Sequence, residues 1–180
     1  MATRGAGAAT IRAIAREVGV TDAAIYRHYR SKDELYWSAY TQITQEMVQE
    51  KEPLLNRDEP IHQRLREWIR LTYRFYDQHP DAFYFVFIQP HDPPEEMREI
   101  TLVQGEILGR MITQAQRDGE IRDLRTELAL SHFTGLLLNV PRLISAGALQ
   151  GPAERHIDDV FDAVWRIFRP DPPRTVDVAI

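Results

Sequence analysis

The stretch that most constrains this chain is IRAIAREVGVTDAAIYRHY, Ile11 to Tyr29. Ile11, Ile14, Ala15 and Val18 recur at i, i+3, i+4 and i+7, which is one face of a helix. Gly19 can adopt the left-handed conformation that ends such a helix, and Val20 gives the turn an apolar anchor. Thr21 suits the N-cap of a second helix, with Asp22 at its positive end. In that second helix Ile25 and Tyr29 point one way, and Ala23, Tyr26, Arg27 and Arg30 the other. An apolar back with a front of small, aromatic and basic residues is what a helix entering the DNA major groove requires.

Composition narrows the remainder. A chain of 180 residues, 43% hydrophobic and 27% charged, has room for a small head on a larger globular body. It holds no cysteine, which excludes disulfides, thiolate metal sites and a cysteine nucleophile. No long apolar run and no signal-peptide core are present, so a cytoplasmic, membrane-free protein is expected. The net charge of -5 argues against binding nucleic acid over the whole surface. Residues 1–40 nevertheless carry six basic and four acidic side chains, against 16 and 23 in the remainder. A mildly basic head on an acidic body follows.

Beyond the motif every segment reads as helix or loop. Residues 1–9 are small and without helical period. Ser31-Lys32-Asp33-Glu34 forms a capping box that starts a helix with the stripe Leu35, Ala39, Ile43 and Met47, ending near Pro53. Ile61, Leu65, Trp68, Thr72, Phe75 and Tyr76 stripe a helix that runs to His79, where Pro80 breaks it. Asp81 to Ile88 is apolar on all sides and reads as a short buried helix. Met97, Ile100, Gln104, Ile107, Leu108, Met111 and Ala115 share a face of a helix from Glu95 to Arg117, closed by Gly119. Leu128, His132, Leu136 and Val140 mark a helix from Thr126 to Ala146, in which Pro141 frees the Leu137 carbonyl and predicts a kink. A last helix starts near Pro152 and is lined by Ile157, Val160, Phe161, Val164 and Phe168. The expected fold is all-α with roughly eight helices: a helix-turn-helix head over 1–45, a ligand-binding and dimerisation bundle over 46–170, and a tail over 171–180.

The stretch Gly5 to Tyr40 resembles the DNA-binding end of the tetracycline-repressor (TetR) family of bacterial transcription regulators. The likeness is carried by Thr10-Ile11-Arg12-Ala13-Ile14-Ala15, Gly19-Val20-Thr21, Ile25-Tyr26-Arg27-His28-Tyr29 and Ser31-Lys32-Asp33-Glu34-Leu35. Further along, the Arg117-Asp118-Gly119-Glu120-Ile121-Arg122 turn is similar to one often seen before the family's dimer-forming helices. The resemblance implies a homodimeric, ligand-responsive regulator, a repressor by type, that binds palindromic operator DNA. It implies that Thr21, Tyr26, His28 and Lys32 contact phosphates and that Ala23, Ala24 and Arg27 face bases, with Thr10 in the same DNA-binding set. Arg27 suits guanine because its planar fork matches two major-groove acceptors. Asp22 departs from the lysine common there; it would repel phosphate yet accept from a cytosine amino group. The family also places a helix before the Gly5 position, and here only four residues precede it. The expectation is a head lacking most of that first helix, or a natural chain that starts upstream.

Other constellations are weak. His28, His62, His79, His91, His132 and His156 are scattered without metal-ligand spacing, and no nucleophile elbow is present. No catalytic residue, cofactor or metal is expected, and an enzyme is not the favoured class. Aromatic residues concentrate between Trp68 and Phe87. An apolar pocket for an apolar or aromatic effector is expected there, lined by Trp68, Tyr73, Tyr76, Phe83, Phe87, Ile107, Met111, His132, Leu136 and Asn139. The alternative function is a dimeric small-molecule-binding protein that has lost sequence-specific DNA binding.

Overall fold

The computed structural model describes residues 21–88 and 92–170, apart from the side chain of Asp22. Among these residues all regular structure is helical. We number the α-helices α1 (Asp22–His28), α2 (Lys32–Lys51), α3 (Ile61–Gln78), α4 (Pro80–Phe83), α5 (Arg98–Arg117), α6 (Thr126–Ser145) and α7 (Ile157–Phe168). Tight 3₁₀ turns extend three of them: Glu52–Asn56 after α2, Glu95–Met97 before α5 and Ala153–His156 before α7. A π-type turn, Tyr84–Ile88, follows α4. The all-α expectation holds. The first helix of the turn motif, Thr10 and the 171–180 tail lie outside the described residues.

Local chemistry explains where helices begin. The Thr21 hydroxyl accepts from the Ala24 amide at 3.2 Å and caps α1. Ser31 caps α2 by accepting from the Glu34 amide at 3.1 Å, while the Glu34 carboxylate reaches back to the Arg30 amide at 2.5 Å. Two helices are capped from a distance. Glu120 accepts from the Ile61 amide at 2.6 Å at the start of α3, and from Arg64 at 3.5 Å. Asp77, at the end of α3, accepts from the Ala153 and Glu154 amides at 2.7 and 3.0 Å. The body therefore closes on itself through carboxylates that satisfy orphan helix donors. Gly119, at φ +72°, gives the left-handed turn after α5.

The core gathers around α3, from which Ile61, Leu65, Trp68, Thr72, Phe75 and Tyr76 are all buried, as their spacing predicts. It meets Phe83, the inner face of α5 (Ile107, Leu108, Met111, Ile112, Ala115), and Val160, Val164 and Phe168 of α7. Two stripes differ from expectation. In α2 Met47 is buried as expected, but together with Tyr40, Thr44 and Lys51, whereas Leu35, Ala39 and Ile43 are half-buried. In α6 the buried face is Ala129, Phe133, Leu137 and Pro141, leaving Leu128 and His132 exposed. Apolarity alone could not place these faces, because Tyr, Thr, Lys and Pro hold positions that sequence pattern assigns to the surface.

Pro141 does not break α6, which runs unbroken from Thr126 to Ser145. The carbonyl that proline deprives of its helical partner is that of Leu137, and it accepts from the Tyr73 hydroxyl of α3 at 3.1 Å. Burial pushes the Tyr73 phenol well above its ordinary pKa, so it stays a neutral donor. Tyr73→Phe is expected to cost about 1–3 kcal/mol, because it strands a buried carbonyl. In a Pro141→Ala background the helix itself can supply a donor, so the same change should cost less. Urea unfolding of the double-mutant cycle measures that coupling, and strict additivity would refute it.

Candidate functional site

Helix α1 is a short element that, among the described residues, is held by one small apolar cluster. Ile25 is 8% exposed and packs with Tyr29 and with Leu35 of α2. Its opposite face is free: Tyr26 is 55% exposed, and Ala23, Arg27, His28 and Arg30 are exposed. Ala24 and Lys32 are half-buried. The expected split of α1 into an apolar back and a basic, aromatic front is thus present for the described side chains.

α2 carries that helix into the body without a break. Its first turns bear Tyr36, Trp37 and Tyr40, which pack edge to face among themselves and with Phe85 of the π-type turn. Tyr36 lies 4.8 Å and Tyr40 6.1 Å from Phe85, centroid to centroid. Sequence reasoning missed this cluster, since no periodicity links residues 36–40 to residue 85. Burial raises the pKa of both phenols.

The expected pocket residues separate into two groups. Trp68, Tyr73, Tyr76, Phe83, Ile107 and Met111 lie together in the core, with Phe87 half-buried beside them. Leu136 is half-buried, while His132 and Asn139 lie on the exposed face of α6. The polar tips of Tyr73, Tyr76, His132 and Asn139 therefore do not converge on one cavity. Tyr73 donates to Leu137, Tyr76 pairs with Ser145 at 3.0 Å, and Asn139 accepts from Arg142 at 2.8 Å. The one-residue rotation of α6 is the cause: it turns His132 and Asn139 outward.

A polar feature that the sequence did not reveal lies at the far end of α2. Lys51 is 2% exposed. Its ammonium donates to Gln104 Oε1 of α5 at 2.7 Å and lies 4.9 Å from the Trp68 ring centroid and 5.9 Å from that of Phe87. Glu50, its acidic neighbour in sequence, is engaged by Arg74 at 2.6 Å. Desolvation lowers the Lys51 pKa from 10.5 to about 7, against a smaller opposing pull from Glu50. One turn back along the same face, a cleft of about 220 Å³ opens between α2 and α5, lined by Thr44, Gln45, Val48, Glu99, Ile100 and Val103. A larger and more polar groove of about 760 Å³ runs along the outer face of α5, past Leu55, Glu106, Arg110 and Arg117.

Residues 1–38 match the model of the bacterial regulatory proteins of the tetR family. The chain is also 30% identical over 166 residues to the nucleoid occlusion factor SlmA of Marinobacter nauticus, covering 87% of this chain and 81% of that protein. The chain belongs to the tetR family. It is a DNA-binding transcriptional regulator of that fold. A TetR family regulator from Marinobacter aquaeolei VT8 superposes with a TM-score of 0.77 at 17% identity, over 91% of this chain and 86% of that one. The regulator FadR of Bacillus subtilis, solved with stearoyl-CoA, gives 0.75 at 16% identity, over 89% of each chain. Among the described residues no helix is long and apolar enough to cross a membrane, and no cluster of three or more acidic or histidine side chains could hold a metal ion.

The charge on Lys51 has a thermodynamic sign. Its folded pKa lies below the unfolded value, so the unfolded chain binds more protons between about pH 7 and 10.5 and stability rises with pH across that window. Below that window the cost of burying the charge is fully present, at about 1.4 kcal/mol for each tenfold loss of proton affinity. Lys51→Met is expected to stabilise the protein by a few kcal/mol near about pH 6, with an advantage that shrinks toward about pH 10. Thermal unfolding of both proteins across that range is the check, and a constant difference would contradict it.

Proposed function

We propose that this regulator acts as a homodimer whose two α1 helices read the half-sites of a palindromic operator and whose body senses a small apolar molecule. The observation that carries this is mechanical continuity. The cluster of Ile25, Tyr29 and Leu35 fixes α1 to the first turns of α2, and α2 runs unbroken to Lys51 inside the body. A shift of α2 against α5 is transmitted to the reading helix and changes the separation of two half-site readers, about 34–36 Å apart on DNA. Residues 1–45 serve as the DNA-binding head, 46–170 as the sensing and dimerising body and 171–180 as a tail. An effector with an alkyl portion is in keeping with the likeness in fold to FadR, which was solved with stearoyl-CoA.

Within the head, Arg27 reads a base, with Ala23 and Ala24 packed close to the groove floor and Asp22 at the helix start. Thr10, Thr21, Tyr26, His28 and Lys32 hold the DNA backbone. The effector site lies where α2, α3 and α5 meet, near Trp68, Phe87 and Ile107, rather than toward His132 and Asn139. The dimer forms through α6 and α7. Their outward side carries exposed Leu128 and half-buried Leu136, Val140, Phe161 and Trp165, the last two stacked at 6.3 Å. Pairing two helices from each protomer covers such a face in a four-helix interface.

Light scattering at micromolar concentration is expected to give twice the 20.9 kDa chain mass, and a monomer would overturn the dimer. In fluorescence anisotropy with palindromic DNA from the upstream region, Arg27→Ala should cost about 1–3 kcal/mol and relax base choice. Lys32→Ala should weaken all sequences alike and reduce the salt slope by about one. Equal loss on every sequence with Arg27→Ala would mean that this side chain touches phosphate only.

A further inference from the structure

Building on the body as the sensing half, we propose that the junction of α2 and α5 binds a small organic monoanion, its carboxylate on Lys51 and its alkyl chain in the adjoining cleft. Lys51 is a cation removed from water with a neutral amide, Gln104 Oε1, as its hydrogen-bond acceptor. No carboxylate lies within ion-pair distance of it among the described residues, and Glu50 is turned to Arg74. A buried charge in that state is costly, and an incoming carboxylate offsets the cost by supplying the missing counter-charge. Trp68 and Phe87 flank the ammonium with rings that suit a cation and also wall off water.

The cleft supplies a place for the rest of the molecule. Thr44, Val48 and Lys51 follow one another at i, i+4 and i+7 on α2, facing Ile100, Val103 and Gln104 on α5. Val48, Ile100 and Val103 give aliphatic walls, which suit an alkyl chain better than a sugar or nucleotide. Thr44, 3% exposed, lines the cleft on the α2 side. At about 220 Å³ the cleft is smaller than the roughly 300–1,000 Å³ typical of drug-sized ligands, so a short acid fits. Exposed Glu99 at the cleft's edge disfavours a second negative charge. Entry requires Gln104 to exchange its acceptor role with the carboxylate. The Gln104 amide nitrogen donates to the Met47 sulfur at 3.8 Å, and the unbranched Met47 side chain can repack as Gln104 turns.

Calorimetry of the full chain with hexanoate, octanoate and decanoate, each beside its matching alcohol, tests the site. At least one acid should bind about tenfold or more tightly than its alcohol. Lys51→Met should abolish that preference, and Val103→Trp, which fills the cleft and keeps the lysine, should weaken acid and alcohol together. Equal binding of acid and alcohol, no binding of any acid at millimolar concentration, or a preference that survives Lys51→Met would each overturn the proposal. If Lys51→Met does not fold, the wild-type preference together with the weakened binding of both ligands by Val103→Trp decides. Failure here leaves the regulator itself standing, because operator binding is read in a separate titration with DNA.

Discussion

The unbroken run of α2 from Lys32 to Lys51 is the constraint on which the rest depends. One end of this helix is tied to α1, among the described residues, through buried Ile25 with Tyr29 and Leu35. The other end is fixed in the body through Met47 and Lys51. A helix of 20 residues is about 30 Å long and stiff on that scale, so displacement at one end appears at the other. The aromatic cluster of Tyr36, Trp37, Tyr40 and Phe85 braces it midway against the π-type turn. Such turns are inserted where a backbone is adapted to function rather than to ideal hydrogen bonding.

The body is built so that polar groups left over by one element are used by another. Pro141 releases a carbonyl that Tyr73 takes up, Asp77 caps the turn before α7, and Glu120 caps α3. Each bond crosses between elements distant in sequence, so each fixes a relative helix position as well as satisfying a donor or acceptor. Against this background Lys51 stands out, a buried cation with a neutral amide as its acceptor. It faces α5, whose N-terminal half packs less completely than its C-terminal half. Ile107, Leu108, Met111 and Ala115 are buried, whereas Ile100, Val103 and Gln104 are half-exposed. A sensing site belongs where packing is incomplete and polar groups await a partner, since a fully satisfied core has nothing to gain from a ligand.

Much of this molecule was legible in its sequence. The Thr21 and Ser31 caps, the buried face of α3, the Gly119 turn and the division of α1 into an apolar back and a basic front all follow from local rules. Capping, turn chemistry and strong periodicity act over a few residues, so the chain encodes them wherever it later packs. The tertiary structure alone decided which side chains of α2 and α6 face inward, a shift of one residue in α6. It did so because a helix packed on more than one side buries whatever side chain the facing surface accommodates, including Lys51, Thr44 and Pro141. That choice of faces turned His132 and Asn139 outward and brought Lys51 against Gln104, two residues 53 positions apart that no spacing rule connects. The sequence by itself determined that there are helices and a reading head, because those depend on neighbours along the chain; which polar groups meet in the body depends on neighbours in space, and only the packed helices could decide it.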